Sequence, residues 1–304
     1  MNLGRFTIKM VLITFTCFLL SYASSVLGNL NSEKSFPHSL FTQYTKTIGN
    51  TQTVEIEKNI ESSEISQIEI QTTQTDVEIK ADNVKQISVG LRGHYVSQTN
   101  HPDAALQVIP EGSKLLIKTG EADFNESSFF HMSNQETDGK MIVVVPANIK
   151  KIKIKTVSGD ISVNSMQLEN LTIESVSGDS LLSQTSSSAL QFKSVSGGIA
   201  GTGKFSQVLA KSISGGAKLT FSNSDPNVEF KSTSGDFQAF FSKTPDLNLQ
   251  FSTISGGFDL DPAFGTDTKE NKRVQKILGN GAGKFSVNTI SGDFKIGRVE
   301  KLDD

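Results

Sequence analysis

Cysteine, tryptophan and histidine are scarce in this chain of 304 residues, with one, none and four of them respectively. The one cysteine, Cys17, sits in an apolar run near the start, so a chain without that run has neither disulfide nor thiol chemistry. His38, His94, His101 and His131 all fall outside the regular repeats of the second half, leaving no histidine there to activate a serine or share a proton with a carboxylate. An excess of one charge is missing too: 29 basic against 32 acidic side chains give −3, which argues against a general nucleic-acid binder.

Long apolar stretches are absent after the first one, which spans residues 10–20 behind Arg5 and Lys9 and is followed by small residues up to Ala23 or Gly28. That arrangement reads as a signal peptide over residues 1–28. An uncleaved anchor is the alternative, but Ser21, Ser24 and Ser25 make the second half polar for a membrane span. Small residues do not precede Cys17 in the way lipid attachment requires. The expectation is therefore an exported chain, in the periplasm, on the cell surface or secreted, with no stable membrane span once mature. Residues 29–50, polar and unpatterned around Pro37, read as a linker.

What the chain does have is a turn that recurs seven times: Ser158-Gly159-Asp160, Ser177-Gly178-Asp179, Ser196-Gly197-Gly198, Ser214-Gly215-Gly216, Ser234-Gly235-Asp236, Ser255-Gly256-Gly257 and Ser291-Gly292-Asp293. Successive serines are 19, 19, 18, 20, 21 and 36 residues apart, so the last gap contains an insertion. Aligned on the turns, apolar residues form columns. The first holds Ile152, Leu171, Leu190, Val208, Val228, Leu249 and Phe285, and the second, two residues on, holds Ile154, Ile173, Phe192, Ala210, Phe230, Phe251 and Val287. A hydroxyl column from Thr156 to Thr289 and a fourth of Val157, Val176, Val195, Ile213, Thr233, Ile254 and Ile290 follow.

Apolar residues at every second position mark a strand with one buried face. The hydroxyl and fourth columns are adjacent yet both look buried, so each strand is expected to turn a corner there, with glycines 159, 178, 197, 215, 235, 256 and 292 supplying a backbone conformation denied to other residues. A unit of about twenty residues cannot bury its apolar face alone and must stack on its neighbours. The predicted fold is all-β: a parallel, single-stranded β-helix-like solenoid of about seven regular coils over residues 149–298. Residues 51–148 form an irregular β N-terminal part, in which residues 74–79 look like a worn copy of the later turn, and 299–304 are a charged tail. Ser180 and Gly201 stand in core columns and mark the weakest coils. In the insertion, Asp267 and Gly279 bracket a predicted short helix. Phe129, Phe130 and His131 lie in a loop or a contact surface.

No catalytic residue, cofactor site or metal site emerges. The turn serines lack a Gly-x-Ser-x-Gly elbow with a partnered histidine, and the residue after the glycine alternates between aspartate and glycine, which breaks the carboxylate ladder that a row of calcium ions requires. The suggestive column is the outward one ahead of the hydroxyls, where Lys155, Lys193, Lys211 and Lys231 occur, the last three in successive coils. Such a stripe suits an anionic polymer of the envelope; a solvated face that keeps the protein soluble is the plainer account.

The repeated turn, the lead-in Lys140-Met141-Ile142-Val143-Val144-Val145-Pro146 and the closing Gly281-Ala282-Gly283-Lys284-Phe285 together resemble the bacterial putative-adhesin domain family, a domain of unknown function that includes proteins similar to the accessory member of Lia-type envelope-stress operons. The resemblance spans about residues 68–296, departing in the first half and in the insertion after Asp261. It implies a β-solenoid without catalytic residues. The expected partner is an envelope polymer or envelope protein, and not nucleic acid; a carbohydrate-active β-helix enzyme and a structural accessory subunit of an envelope-stress system are the alternatives.

Overall fold

A computed structural model describes residues 50–97, 105–119, 136–265 and 272–299, all within one unit of the chain, Gly49–Asp304. The expected signal peptide, nearly all of the linker, the stretch around Phe129 to His131 and residues 300–304 of the tail lie outside the described residues. Among the described residues there is no α-helix, and the strands form two sheets of 11 strands each.

From residue 151 the chain alternates between the sheets. β8 (Lys151–Thr156), β10 (Gln167–Ser175), β12 (Ser186–Lys193), β14 (Phe205–Lys211) and β16 (Asn227–Lys231) are neighbours in the first. β9 (Ile161–Asn164), β11 (Ser180–Ser183), β13 (Ile199–Gly203), β15 (Ala217–Phe221) and β17 (Phe237–Phe241) are neighbours in the second. Every adjacent pair in these two runs is parallel and in register one repeat apart: Leu171 lies opposite both Ile152 and Leu190, and Val208 opposite both Leu190 and Val228. These columns are buried and meet those of the other sheet, as where the Phe230 and Phe237 rings come within 5.1 Å. Each fully buried aliphatic or phenyl side chain contributes roughly 1.5–3 kcal/mol, so the stack is held by side chains no single repeat could bury. Gly201 leaves no open gap in its layer: Leu182 and Leu219, its register neighbours, fill the space, and a Cβ there would meet them at 3.0 and 3.3 Å. Ser180 does leave a buried hydroxyl without a partner.

The turns correct two expectations. None of the seven repeated glycines has a positive φ; they are required by close approach. A Cβ on Gly178 would lie 2.0 Å from the Gly159 carbonyl oxygen, and one on Gly197 2.1 Å from that of Gly178. In four of the seven repeats the hydroxyl column ties the same turn, the oxygen accepting the glycine N–H three residues on, at 2.9 Å for Thr156, 3.0 Å for Ser175, 2.6 Å for Ser212 and 2.8 Å for Ser232. The fourth column is not buried. Val195, Ile213, Ile254 and Ile290 are exposed, because the chain turns at the hydroxyl column and leaves the next side chain pointing outward.

The stacking order departs from chain order at both ends. β18 (Leu247–Ser252) and β19 (Phe258–Leu260) precede β21 (Gly283–Asn288) and β22 (Phe294–Arg298) in sequence. Yet β21 pairs with β16, and β18 lies beyond it, while β22 pairs with β17 and β19 lies beyond it. The last repeat is thus inserted between the fifth and sixth. The predicted helix is instead β20 (Arg273–Leu278), antiparallel on the far edge of β18, with Asp267 outside the described residues.

At the other end, β2 (Gln67–Thr72) and β3 (Gln74–Ala81) pair with β8 and β9, so the worn turn copy joins the stack, with Val77 opposite Ile161. β6 (Lys114–Thr119) and β7 (Glu136–Val145) come next outward, parallel to β2 and β3. β5 (Leu106–Glu111), β4 (Gln86–Ser97) and β1 (Asn50–Glu61) then finish the two sheets with antiparallel pairings.

Candidate functional site

The outward rows of the sheet that contains β8 carry the lysines. Alternation along each strand points Lys155, Lys193, Lys211 and Lys231 away from the core, and the register sets Lys193 opposite Lys211 and Lys211 opposite Lys231. Lys151 and Lys153 on β8, and Lys284 on β21, share this face. They stand two or four residues before the lysine column or in a different row, so a single-column alignment passes over them; outward spacing on the same strand was the available signal.

The stripe is laced with carboxylates, Glu174 in the lysine column itself and others around it, and these pair with its lysines. Glu174, between Lys155 and Lys193 in register, accepts a hydrogen bond from Lys193 Nζ at 3.0 Å. Lys231 is bonded to Glu229. Glu69 on β2 sits 3.9 Å from the largely covered Lys155 Nζ and 3.5 Å from that of Lys114. Burial raises the Glu69 carboxyl pKa, but a hydrogen bond from Gln71 and the charges of Lys114, Lys153 and Lys155 outweigh it, and the net shift is downward. Glu229 is likewise held low, by the Lys231 hydrogen bond first and by Lys211 and Lys284 as well.

The opposite sheet is acidic where the turns meet it. Asp76, Asp160 and Asp179 stack in consecutive layers, and each passes a hydrogen bond along: Asp76 Oδ1 accepts from the Asp160 N–H at 2.9 Å, Asp160 Oδ1 from the Asp179 N–H at 2.9 Å, and Asp179 Oδ1 from the Gly198 N–H at 2.7 Å. Asp236 and Asp293 repeat this beyond the gap left by Gly198 and Gly216. A shallow groove of about 760 Å³ runs along this row, with Lys140 and Lys218 at its side. The turn aspartates thus serve as acceptors for the backbone of the next layer. Among the described residues, no group of three histidine, cysteine, aspartate or glutamate side chains is placed to hold a metal ion, and no helix is long and apolar enough to cross a membrane.

Comparison with known proteins places these features in a family context. The family model described as Toastrack DUF4097 matches residues 65–204 and 201–297. No curated protein matches the chain. Among solved structures, a putative cell adhesion protein from Clostridium sporogenes is similar at 11% identity and a TM-score of 0.38, covering 82% of this chain and 100% of that one. A putative adhesin from Bacteroides fragilis is similar at 14% identity and a TM-score of 0.41, covering 81% and 97%. A putative lipid binding protein from Parabacteroides distasonis shows 14% identity and a TM-score of 0.32, covering 83% and 98%.

Proposed function

The chain belongs to the Toastrack DUF4097 family, and we propose that it is an exported, non-catalytic envelope protein. Its stacked strands, read as a solenoid of about seven regular coils with an irregular N-terminal cap, present a surface to an anionic polymer of the envelope. The observation that carries this reading is the row Lys193, Lys211 and Lys231, three cations in register on adjacent parallel strands about 4.8 Å apart. Lys151, Lys153 and Lys284 extend it across the same face. A flat rigid array of this kind suits a repeating anion, and the interspersed glutamates limit affinity and make it depend on ionic strength.

The test is binding of the purified protein to a soluble polyanion and to envelope polysaccharide, with and without Lys193→Glu, Lys211→Glu and Lys231→Glu. At about 1 kcal/mol for each lysine near an anionic surface, the triple variant is expected to lose on the order of a hundredfold in affinity, and salt to weaken the parent protein. Unchanged binding in the variant removes the lysine face from the proposal. The acidic groove supports one alternative, a carbohydrate-active enzyme, which release of soluble product from a polysaccharide would favour. A co-purifying envelope protein, with no ligand bound, would favour an accessory subunit.

A further inference from the structure

The fourth column forms a ridge along one edge of the stack, apolar at six of its eight positions, half-buried at Val157 and Val176, and interrupted by Thr233. Its order is fixed by a ladder of turn hydrogen bonds: the N–H groups of Ser158, Ser177, Ser196, Ser214, Ser234, Ser291 and Ser255 each donate at 2.8 Å to the carbonyl of the ridge residue one layer back. The ridge therefore runs Thr73, Val157, Val176, Val195, Ile213, Thr233, Ile290, Ile254. Val195 is 44% exposed, Ile213 52%, Ile290 50% and Ile254 65%. Soluble proteins bear scattered exposed aliphatics without consequence, but a straight line of them is an interaction feature.

We propose that this ridge is the contact between two copies of the chain, lying side by side with their stacks running in the same direction. Two observations favour a second copy over other occupants. The ridge side chains repeat at the strand spacing, about 4.8 Å, and a partner meets all of them layer for layer only if it repeats at that spacing too. The flanks are also of opposite sign. Two residues before the ridge stands the outward column Lys155, Glu174, Lys193, Lys211 and Lys231, basic on balance, and three residues after it the row Asp160, Asp179, Gly198, Gly216, Asp236 and Asp293, so that lysine and aspartate share a layer at Lys155 and at Lys231. A two-fold axis along the stack places the lysine flank of each copy against the aspartate flank of the other on both sides. Opposed stacks would place lysine against lysine, and an anionic lipid surface would meet an aspartate row.

Eight layers give a seam roughly 35 Å long, and a width of about 12 Å gives on the order of 800 Å² buried in total, in the range of transient contacts. The dimer is accordingly weak, visible at high protein concentration and free of any ligand requirement, so its failure and that of the lysine-face proposal are separable. Sedimentation velocity from about 10 μM to 1 mM should show a shift to dimer that Ile213→Lys with Ile290→Lys abolishes, both sites being exposed and the melting temperature serving as the folding control. Ile254→Cys in a Cys17→Ser background should form a disulfide with itself on oxidation, and Val157→Cys likewise, whereas a mixture of the two should give few crossed dimers. A protein that stays monomeric throughout, a dimer insensitive to the isoleucine substitutions, or crossed dimers in preference to self-dimers each overturns the proposal.

Discussion

At the scale of the residue, the turn glycines are where sequence and structure agree on identity and differ on cause. A glycine repeated every nineteen residues or so reads equally as a left-handed backbone or as a place with no room for a Cβ, and only the neighbouring layer decides. Here the neighbour's carbonyl occupies the space. Gly197→Ala pushes a Cβ into backbone that is itself pinned by hydrogen bonds, so overpacking of about 1–3 kcal/mol is expected. In a domain of this size that lowers the melting temperature by roughly 2–4 °C per kcal/mol. Gly90→Ala is the control: the nearest atom to its Cβ would be 3.9 Å away, its φ is not positive, and the change should be neutral or slightly stabilising. Equal melting shifts in the two variants would show that close packing of turns is not what selects glycine. The lysine column was legible for the same reason as the glycines, since both recur at fixed offset. Of its compensation, Glu174 was legible because it stands in the same column; Glu69 and Glu229 were not, because Glu69 comes from a strand more than eighty residues earlier and Glu229 from another row of the same face.

At the scale of the element, the misread segment is β20. Val274 and Leu278 are buried four residues apart, which is a helical interval. In the strand they are alternate inward positions, and the position between them is Lys276. β1 does the same at the other end of the stack: between Ile56 and Ile60 it turns Lys58 inward, half-buried, with Nζ donating to the Leu106 carbonyl on β5 at 2.8 Å. Both strands form outer edges of their sheets, where unpaired backbone invites another chain to add on, and an inward lysine makes such pairing costly. Breaking period two at the middle of the strand hides it from a pattern search and protects the edge. Lys58→Ile restores the alternation and should raise association, read as light scattering that grows with concentration and time. The melting temperature of the monomer should change by only a few degrees, because a single hydrogen bond contributes about 1 kcal/mol. A variant as free of association as the parent would show that the edge is protected by other means.

At the scale of the whole stack, columns reveal that repeats lie over one another but not in what order. Every layer offers the same register, so interchanging the last two leaves each column intact; the exchange is set by connections instead. Phe285 and Phe294, from the last repeat, pack between the fifth and sixth, with Phe294 5.7 Å from Phe237 on one side and 5.4 Å from Phe258 on the other. Two aspartates fasten the inserted layer to the outer one. Asp246, ahead of β18, accepts from the Ala282 N–H at 3.0 Å just before β21. Asp261, after β19, accepts from the Ala263 N–H at 2.8 Å and from the Arg298 N–H at the end of β22 at 3.1 Å. Backbone hydrogen bonding holds both carboxyls below their ordinary pKa, through Ala282 first for Asp246 and through Ala263 first for Asp261. A carboxyl held low when folded binds fewer protons than the same group in the unfolded chain. Its contribution is therefore complete above about pH 4 and is lost as pH falls through the folded value. Acid should release β18–β22 before the middle of the stack: amide exchange, corrected for its intrinsic rate, is expected to hold steady down to about pH 4 and to accelerate there as pH falls further, while β10–β15 stay protected. In Asp246→Asn with Asp261→Asn, the same end should already exchange faster at pH 6 and change little on acidification. If the double variant keeps the parent's pH dependence, the insertion is held by its phenyl packing alone and the two carboxylates are incidental to it.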